Sequence, residues 1–471
     1  MERLALKSSS VLVVASNFPP VQSAGVYRTI RLAKYLPEYS WDISVLTLAV
    51  ETLPKDTRQD PRSLEQIADE IGVYRAPARF PLETINRITG RGKRKQKSKP
   101  PVKTISKVEN QSPERSKATS WTQQFKDRIT LPWMTPDRLV GWVQPASKKG
   151  IAITRNNRFD LIYSSGPPWS NHLVANRISK SSGLPWVADF RDPWCGNAFR
   201  PSRNGDTWQG RKHRELELDV YRAASAVIFN TEPAQQNAVE RIGDWLEGKS
   251  TVIPNGFDPA HFANLSNVPT TTNKLKMIHA GSFYGKRNVD TLLQAIGKLK
   301  QSGVLTTNNF QLELVGNARN HEKQLVEDLS ISDLVMLPPA VAHGECLNRL
   351  NASDVLLLVQ TDAPLCVPGK LYEYIAIGKP IFTLATEGAT AELVKRERLG
   401  ICCDPANVAQ IETSLVQLLD QNRTGQLETV SAEVRSRYDG REQMAAFDSI
   451  FQQAILNSAP TRSSIKIRES V

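Results

Sequence analysis

Cysteine and long apolar runs are both scarce in this sequence. Its 471 residues include five cysteines, two of them adjacent, and no CxxC pair. This pattern suggests neither a disulfide framework nor a zinc site, so we expect reduced thiols. The longest apolar runs, such as Val11–Ala15 and Val355–Val359, have the length of a strand and are too short to span a membrane. Because the first ten residues lack the apolar core of a signal peptide, we expect a cytoplasmic protein, free or peripheral on the inner face of the plasma membrane.

Acidic residues are absent from one strongly basic segment. Between Arg87 and Lys103, called the basic run below, eight residues are basic and none is acidic. This run accounts for most of the net charge of +12, so the charge says little about the rest of the chain. Residues 87–120 are poor in apolar residues, which predicts a disordered insertion. The run is compatible with an anionic membrane surface. A nucleic-acid-binding protein is a weaker alternative, since no known nucleic-acid-binding module is present, and we expect no nucleic acid partner.

Short apolar runs alternate with helical stretches, which predicts an α/β protein with parallel sheets. The first series of predicted strands ends near Pro254, and a second series starts at Lys276. The length exceeds that of a usual single core, so we expect two domains divided near residues 257–274. The last stretch, residues 432–455, has the apolar spacing of one amphipathic helix.

Ligands of open parallel sheets bind beyond the carboxyl ends of the strands. In the first half, Gly25 follows a strand and precedes a helix, which suits a phosphate but also a simple turn. Asp189, Arg191 and Asp192 follow another strand. They either meet a ligand or form an Arg191–Asp ion pair that fixes the loop. His172 falls within a predicted helix, where packing is the expected role.

In the second half, two strand-end peptides carry cations beside glycines. Gly281 and Ser282 follow a strand, and Lys286 and Arg287 come before the next helix, a pattern that fits a diphosphate clamp or a solvated charge pair.

The other peptide opens a helix at Gly369 or Lys370, where the helix N-terminus and the lysine both favour a phosphate. Glu373 suits ribose hydroxyls, although simple compensation of the helix dipole explains it as well.

Taken in order, these peptides resemble the retaining glycosyltransferases of family 4, which have the GT-B fold. The similarity is greatest to bacterial members that build surface polysaccharides, and it covers nearly the whole chain except residues 87–120. The motifs that carry the resemblance are SNFPPVQSAGVYRT (16–29), WVADFRDPW (186–194), VIPNGFD (252–258), HAGSFYGKRN (279–288) and VPGKLYEYIAIGKPI (367–381).

The resemblance implies two Rossmann-like domains facing across a cleft, and sugar transfer from a nucleoside diphosphate sugar with retained configuration. It also implies a saccharide or lipid-linked acceptor, and a reaction that uses no cofactor and no metal. Lys286, Arg287 and Lys370 would bind the donor diphosphate, Glu373 would bind its ribose, and Gly25 would face the donor phosphates or the acceptor. The donor-binding peptides also contain Gly281, Ser282, Gly369 and Leu371.

The sequence departs from the family pattern at two positions. Family members often have two glutamates eight positions apart, but Leu365 stands eight positions before Glu373. Members also often carry a histidine where Arg191 stands, so Asp189, Arg191 and Asp192 are the candidate catalytic residues in its place.

We therefore predict a glycosyltransferase with an acceptor-side domain over residues 1–260, a sugar-nucleotide-binding domain over 270–430, and a helix over 431–456 that crosses back to the first domain. A sugar-nucleotide epimerase of the same fold is an alternative, although no convincing acid–base pair is evident. A non-catalytic nucleic-acid- or membrane-binding protein is another.

Overall fold

A computed structural model of the chain describes residues 8–23, 25–53, 57–80, 134–196, 205–265, 274–281, 283 and 287–458. These residues form two compact units, which divide between Pro254 and Asn255 and again between Glu442 and Gln443. The first unit therefore contains segments from both ends of the chain, and the second is one continuous stretch. The basic run, and the insertion predicted for residues 87–120, lie outside the described residues.

The first unit is built on a seven-stranded sheet in which every neighbouring pair is parallel. Its strands lie in the order β3-β2-β1-β4-β5-β6-β7. The central strands are buried on both faces, which explains the apolar runs VLVV in β1 and LIY in β4. The strands are β1 (Ser9–Val14), β2 (Trp41–Leu48), β3 (Gly72–Ala76), β4 (Leu161–Gly166), β5 (Trp186–Phe190), β6 (Ala226–Phe229) and β7 (Ser250–Val252).

The second unit contains a six-stranded parallel sheet in the order β10-β9-β8-β11-β12-β13. In both sheets, the strand order reverses beside the first strand of the unit, so the crevice that accepts ligands in such folds opens between β1 and β4 and between β8 and β11. The strands are β8 (Leu275–Ala280), β9 (Phe310–Val315), β10 (Val335–Met336), β11 (Val355–Gln360), β12 (Ile381–Ala385) and β13 (Gly400–Cys403).

The helices connect and cover these strands. Those of the first unit are α1 (Val26–Tyr35), α2 (Val140–Asn156), α3 (Ser170–Ser182), α4 (Trp208–Ala223) and α5 (Glu232–Ile242), with α13 (Met444–Ser458) near the end of the chain. Those of the second unit are α6 (Asp290–Gln301), α7 (Asn320–Asp328), α8 (His343–Asn351), α9 (Gly369–Ile377), α10 (Ala389–Arg396), α11 (Val408–Thr424) and α12 (Ala432–Arg437). No helix of the described ranges is long and apolar enough to cross a membrane.

The stretch predicted as one helix over 432–455 is instead two helices, α12 and α13, so that prediction was wrong. Phe257 explains the break, because its N–H donates to the carbonyl of Tyr438 at 3.0 Å and its carbonyl accepts from the N–H of Gly440 at 2.9 Å. These bonds take the backbone of Tyr438 and Gly440 out of a helical pattern. The second helix packs into the core of the first unit, where Phe451 contacts the Trp41 ring with centroids 5.4 Å apart.

Two strands, β3 and β13, were not predicted from the sequence. Each lies at the edge of its sheet and is only partly buried. Their sequences, GVYRA and GICC, are short and carry a glycine, so they lack the buried apolar run that marked the central strands.

Candidate active site

In the second unit, the peptide after β8 approaches the start of α9 closely. Gly281 directly follows the strand with a φ of +140°, in the region that favours glycine. A Cβ atom at this position would overlap Nζ of Lys370 and lie 2.7 Å from its Cε. The lysine thus lies across the carboxyl end of β8 because residue 281 has no side chain. The structure brings together two peptides that the sequence had singled out separately.

Lys370 is the second residue of α9, a helix whose N-terminus has neither a side-chain cap nor an acidic residue in its first turn. Such a terminus presents backbone N–H groups and the positive end of the helix dipole to an anion. Gly369 is exposed, and nothing lies within 4 Å of the position that its Cβ would take. Backbone and side chain therefore place positive charge at the same end of the helix.

The charged groups around Lys370 are consistent with an anion-binding site. Burial lowers the pKa of Lys370, and the positive charge of Arg287 lowers it further, whereas Glu373 and the Cys346 thiol raise it. Two cations whose charges destabilise each other are stabilised together when an anion binds between them. The predicted site residues Ser282 and Lys286 lie outside the described residues.

Leu371 has no group directed toward a ligand. Its side chain is fully buried in the core of the second unit, and its N–H donates to the carbonyl of Pro368 at 3.0 Å. The preceding peptide has few N–H groups to offer to a ligand. The N–H of Cys366 already donates to the carbonyl of Ala363 at 3.1 Å, and Pro368 has no N–H. We therefore leave Leu371 out of the candidate donor site.

His279, near the end of β8, was not singled out from the sequence. Its ring is buried and stacks on Phe283 with centroids 4.9 Å apart. Its Nδ1 donates to the carbonyl of Leu357 at 2.9 Å. Burial lowers its pKa to about 3, and the charges of Lys370 and Arg287 act in the same direction. The imidazole is therefore neutral. The only sequence signal was a polar residue among apolar ones in a buried strand.

In the first unit, structural contacts engage both carboxylate oxygens of Asp189. Arg28, from α1, binds it through Nε and Nη2 at 2.9 Å each. The hydroxyls of Tyr163 and Ser165 donate to it at 2.6 and 2.8 Å. Asp189 is completely buried. It pairs with Arg28 rather than with Arg191 or a ligand, so the structure argues against its assignment as a catalytic residue.

Arg28 also links β5 to the two residues that follow β7. Its guanidinium donates to the carbonyls of Ile253 and Pro254 at 2.9 Å each, and lies 5.1 Å from the centre of the Phe447 ring. The buried pair is therefore a tie within the first unit. This pairing could not be predicted from the sequence, because an arginine within a helix usually faces solvent.

Arg191 instead lies against Gly25. Its Nη2 is 2.7 Å from the position that a Cβ of Gly25 would take, and the same nitrogen donates to the carbonyl of Pro167. Gly25 is the N-cap of α1, which has no side-chain cap and no acidic residue in its first turn. Burial lowers the pKa of Arg191, although Asp192 and Asp189 oppose that change. Burial also raises the pKa of Asp192. A guanidinium and a helix N-terminus thus meet in one place.

His172 has the packing role predicted for it. It lies within α3, is buried, and stacks on Phe190 with ring centroids 4.7 Å apart. Its Nδ1 is 2.8 Å from the hydroxyl oxygen of Ser164. Burial lowers its pKa to about 3, so it is neutral.

Family comparisons agree with the division into two units. The model described as Glycosyltransferase Family 4 matches residues 111–261, and the model described as Glycosyl transferases group 1 matches residues 264–435. The chain carries the two domains of a GT-B glycosyltransferase. No curated protein matches it in sequence.

Solved structures share the GT-B architecture at low sequence identity. Sucrose-phosphate synthase from Thermosynechococcus elongatus aligns with a TM-score of 0.56 at 14% identity, covering 96% of this chain and 100% of its own. HepE of Anabaena, solved with UDP, gives 0.57 at 15% identity over 95% and 100% of the two chains. The lipopolysaccharide outer core galactosyltransferase WaaB, in its apo form, gives 0.54 at 12% identity over 94% and 99%. At these identities the likeness shows the shared fold.

Among the described residues, no group of three or more His, Cys, Asp or Glu side chains could hold a metal ion. The five cysteines all lie within the described residues, and no two of them are joined by a disulfide.

Proposed function

We propose that this GT-B glycosyltransferase moves a sugar from a nucleoside diphosphate sugar to a saccharide or lipid-linked acceptor. The observation that carries the proposal is the placement of Lys370 across Gly281 at the carboxyl end of β8. Arg287 is close enough to lower the pKa of this lysine. A diphosphate is the ligand that such a pair of cations beside a helix N-terminus binds best.

These groups would act on the leaving diphosphate. As the bond from the anomeric carbon to the diphosphate breaks, negative charge develops on the departing oxygen. Lys370, Arg287 and the N-terminus of α9 would stabilise that charge without needing to rearrange. Glu373, one turn into α9, would accept hydrogen bonds from the ribose hydroxyls. The UDP complex of HepE supports a nucleoside diphosphate as the ligand of this fold.

The Gly25–Arg191 contact would bind a phosphate on the acceptor. A lipid-linked saccharide carries such a group, and both the guanidinium and the N-terminus of α1 favour an anion there. Asp192 would accept a hydrogen bond from the attacking hydroxyl. The resemblance to surface-polysaccharide enzymes supports retention of configuration, independence of metals and a role in building a surface polysaccharide.

The first experiment is a thermal-shift screen of the protein against UDP-, GDP- and ADP-sugars. Turnover of the best donor would then be followed with and without lipid-linked acceptors. Nuclear magnetic resonance of the product would report the anomeric configuration, and an EDTA arm would test for a metal requirement. Conversion of the donor sugar into its epimer without any acceptor would instead indicate an epimerase.

The donor site is tested by removing its charges one at a time. Lys370→Ala or Arg287→Ala should weaken nucleoside diphosphate binding by roughly ten- to a hundredfold, because a hydrogen bond to a charged group contributes about 1.5–3 kcal/mol. Glu373→Gln should also weaken binding of the free nucleoside. Lys323→Ala, which removes an exposed lysine of α7, is the control. Unchanged affinity in both charge-removing variants, measured by calorimetry on folded protein, would overturn this assignment.

A further inference from the structure

The imidazole of His279 has one nitrogen whose partner is unexplained. Because Nδ1 donates its hydrogen to Leu357, Nε2 carries a lone pair and can only accept a hydrogen bond. Nε2 is buried, and it has no hydrogen-bond partner among the described residues. Buried acceptors in folded proteins are nearly always paired, so this atom requires an explanation.

The ammonium group of Lys370 lies close to this nitrogen. Nε2 lies 3.8 Å from the position that a Cβ of Gly281 would take, and Nζ of Lys370 lies against that same position. The stack on Phe283 fixes the plane of the imidazole ring. A lysine has three hydrogens to donate, so one can point to His279 while the others remain for a ligand.

We propose that His279 is a positioning residue for Lys370, whose ammonium donates one hydrogen to Nε2 when the site holds a diphosphate. The hydrogen bonds then form a chain from the carbonyl of Leu357 through His279 and Lys370 to a phosphate oxygen. This inference rests on the proposed function, because it assumes a diphosphate beside Lys370.

The series of hydrogen bonds affects the protonation of Lys370. The groups that act on Lys370 are Arg287, which disfavours its charge, and Glu373 and the Cys346 thiol, which favour it. A neutral acceptor at Nε2 stabilises the ammonium form. Without that acceptor, Lys370 would lose its proton at a lower pH, and the diphosphate would lose its partner there.

Two substitutions separate this role from simple packing. Asparagine at position 279 can place an N–H near the position of Nδ1 but has nothing at the position of Nε2. Glutamine can place an amide oxygen near Nε2 but loses the donor to Leu357. If His279 only supports the fold, His279→Asn should be the milder change; if it positions Lys370, His279→Gln should be the milder one for ligand binding.

The experiment measures UDP binding against pH in the wild type and both variants, with His321→Asn on the exposed face of α7 as a control. We expect binding to fall at alkaline pH, with a midpoint about one pH unit lower in His279→Asn, since a charge-assisted hydrogen bond is equivalent to at least one pKa unit. His279→Gln should keep the wild-type midpoint. Should His279→Asn fail to fold, His279→Phe, which keeps the ring stack, replaces it.

An equal midpoint in the wild type and in the folded asparagine or phenylalanine variant would overturn the inference while leaving the donor site intact. Unchanged UDP affinity in both Lys370→Ala and Arg287→Ala would instead show that the donor site itself is wrong, and the hydrogen-bond chain would fail with it.

Discussion

Replacing Gly281 with alanine tests how the fold positions Lys370. The substitution adds one methyl group and changes no charge. A Cβ at this position would overlap Nζ of Lys370, and the φ of +140° is one that side chains rarely adopt. The lysine must therefore move, and the backbone must either strain or shift.

The two effects have separate magnitudes. A backbone held in a sparsely populated region costs on the order of 1–3 kcal/mol of stability. Displacement of Lys370 should remove its charge-assisted contact with the diphosphate, about 1.5–3 kcal/mol, which is a ten- to hundredfold loss of affinity. A strained alanine that has no lysine beside it should therefore lower stability without lowering affinity for the diphosphate.

Gly303 provides that comparison in the same unit. Its φ is +77°, and nothing lies within 4 Å of the position of its Cβ. Urea unfolding should show a loss of stability in both Gly281→Ala and Gly303→Ala. Calorimetry with UDP should show a loss of affinity in Gly281→Ala alone. Equal UDP affinities in the two variants would refute the argument that the missing side chain of Gly281 makes room for Lys370.

The remaining predictions concern the first unit. Asp189→Asn should lower the free energy of unfolding by about 3–5 kcal/mol in urea titrations, because it leaves the buried Arg28 charge uncompensated. Asp206→Asn, at a fully exposed aspartate that also pairs with an arginine, should change stability little, and similar losses in the two variants would contradict the argument. Arg191→Ala should raise the KM for a phosphate-bearing acceptor and leave UDP affinity unchanged. The exposed Arg177→Ala should change neither the KM nor the UDP affinity; an unaltered KM in Arg191→Ala would remove the proposed acceptor site.

The alternation of strands and helices could be predicted from the sequence because burial on both faces of a parallel sheet requires continuous apolar runs. The run WVADF marked β5 with its observed bounds, and VLLLV marked most of β11. The edge strands β3 and β13 are exempt from that requirement, so their sequences carried little signal. The break between α12 and α13 could not be predicted for another reason. It depends on hydrogen bonds to Phe257, which is far away in the chain.

The sequence by itself determined the two α/β units and the strand-end peptides in which to look for a site. Which side chains meet there was decided by the tertiary structure. Arg28 and Asp189 are 161 positions apart, and only the folded sheet brings them together and makes the aspartate structural. Lys370 and the Nε2 atom of His279 both lie near Gly281 because β8 and β11 are neighbours in the sheet. Local sequence encodes local conformation and burial, whereas the pairing of distant charges depends on how the strands are ordered in space.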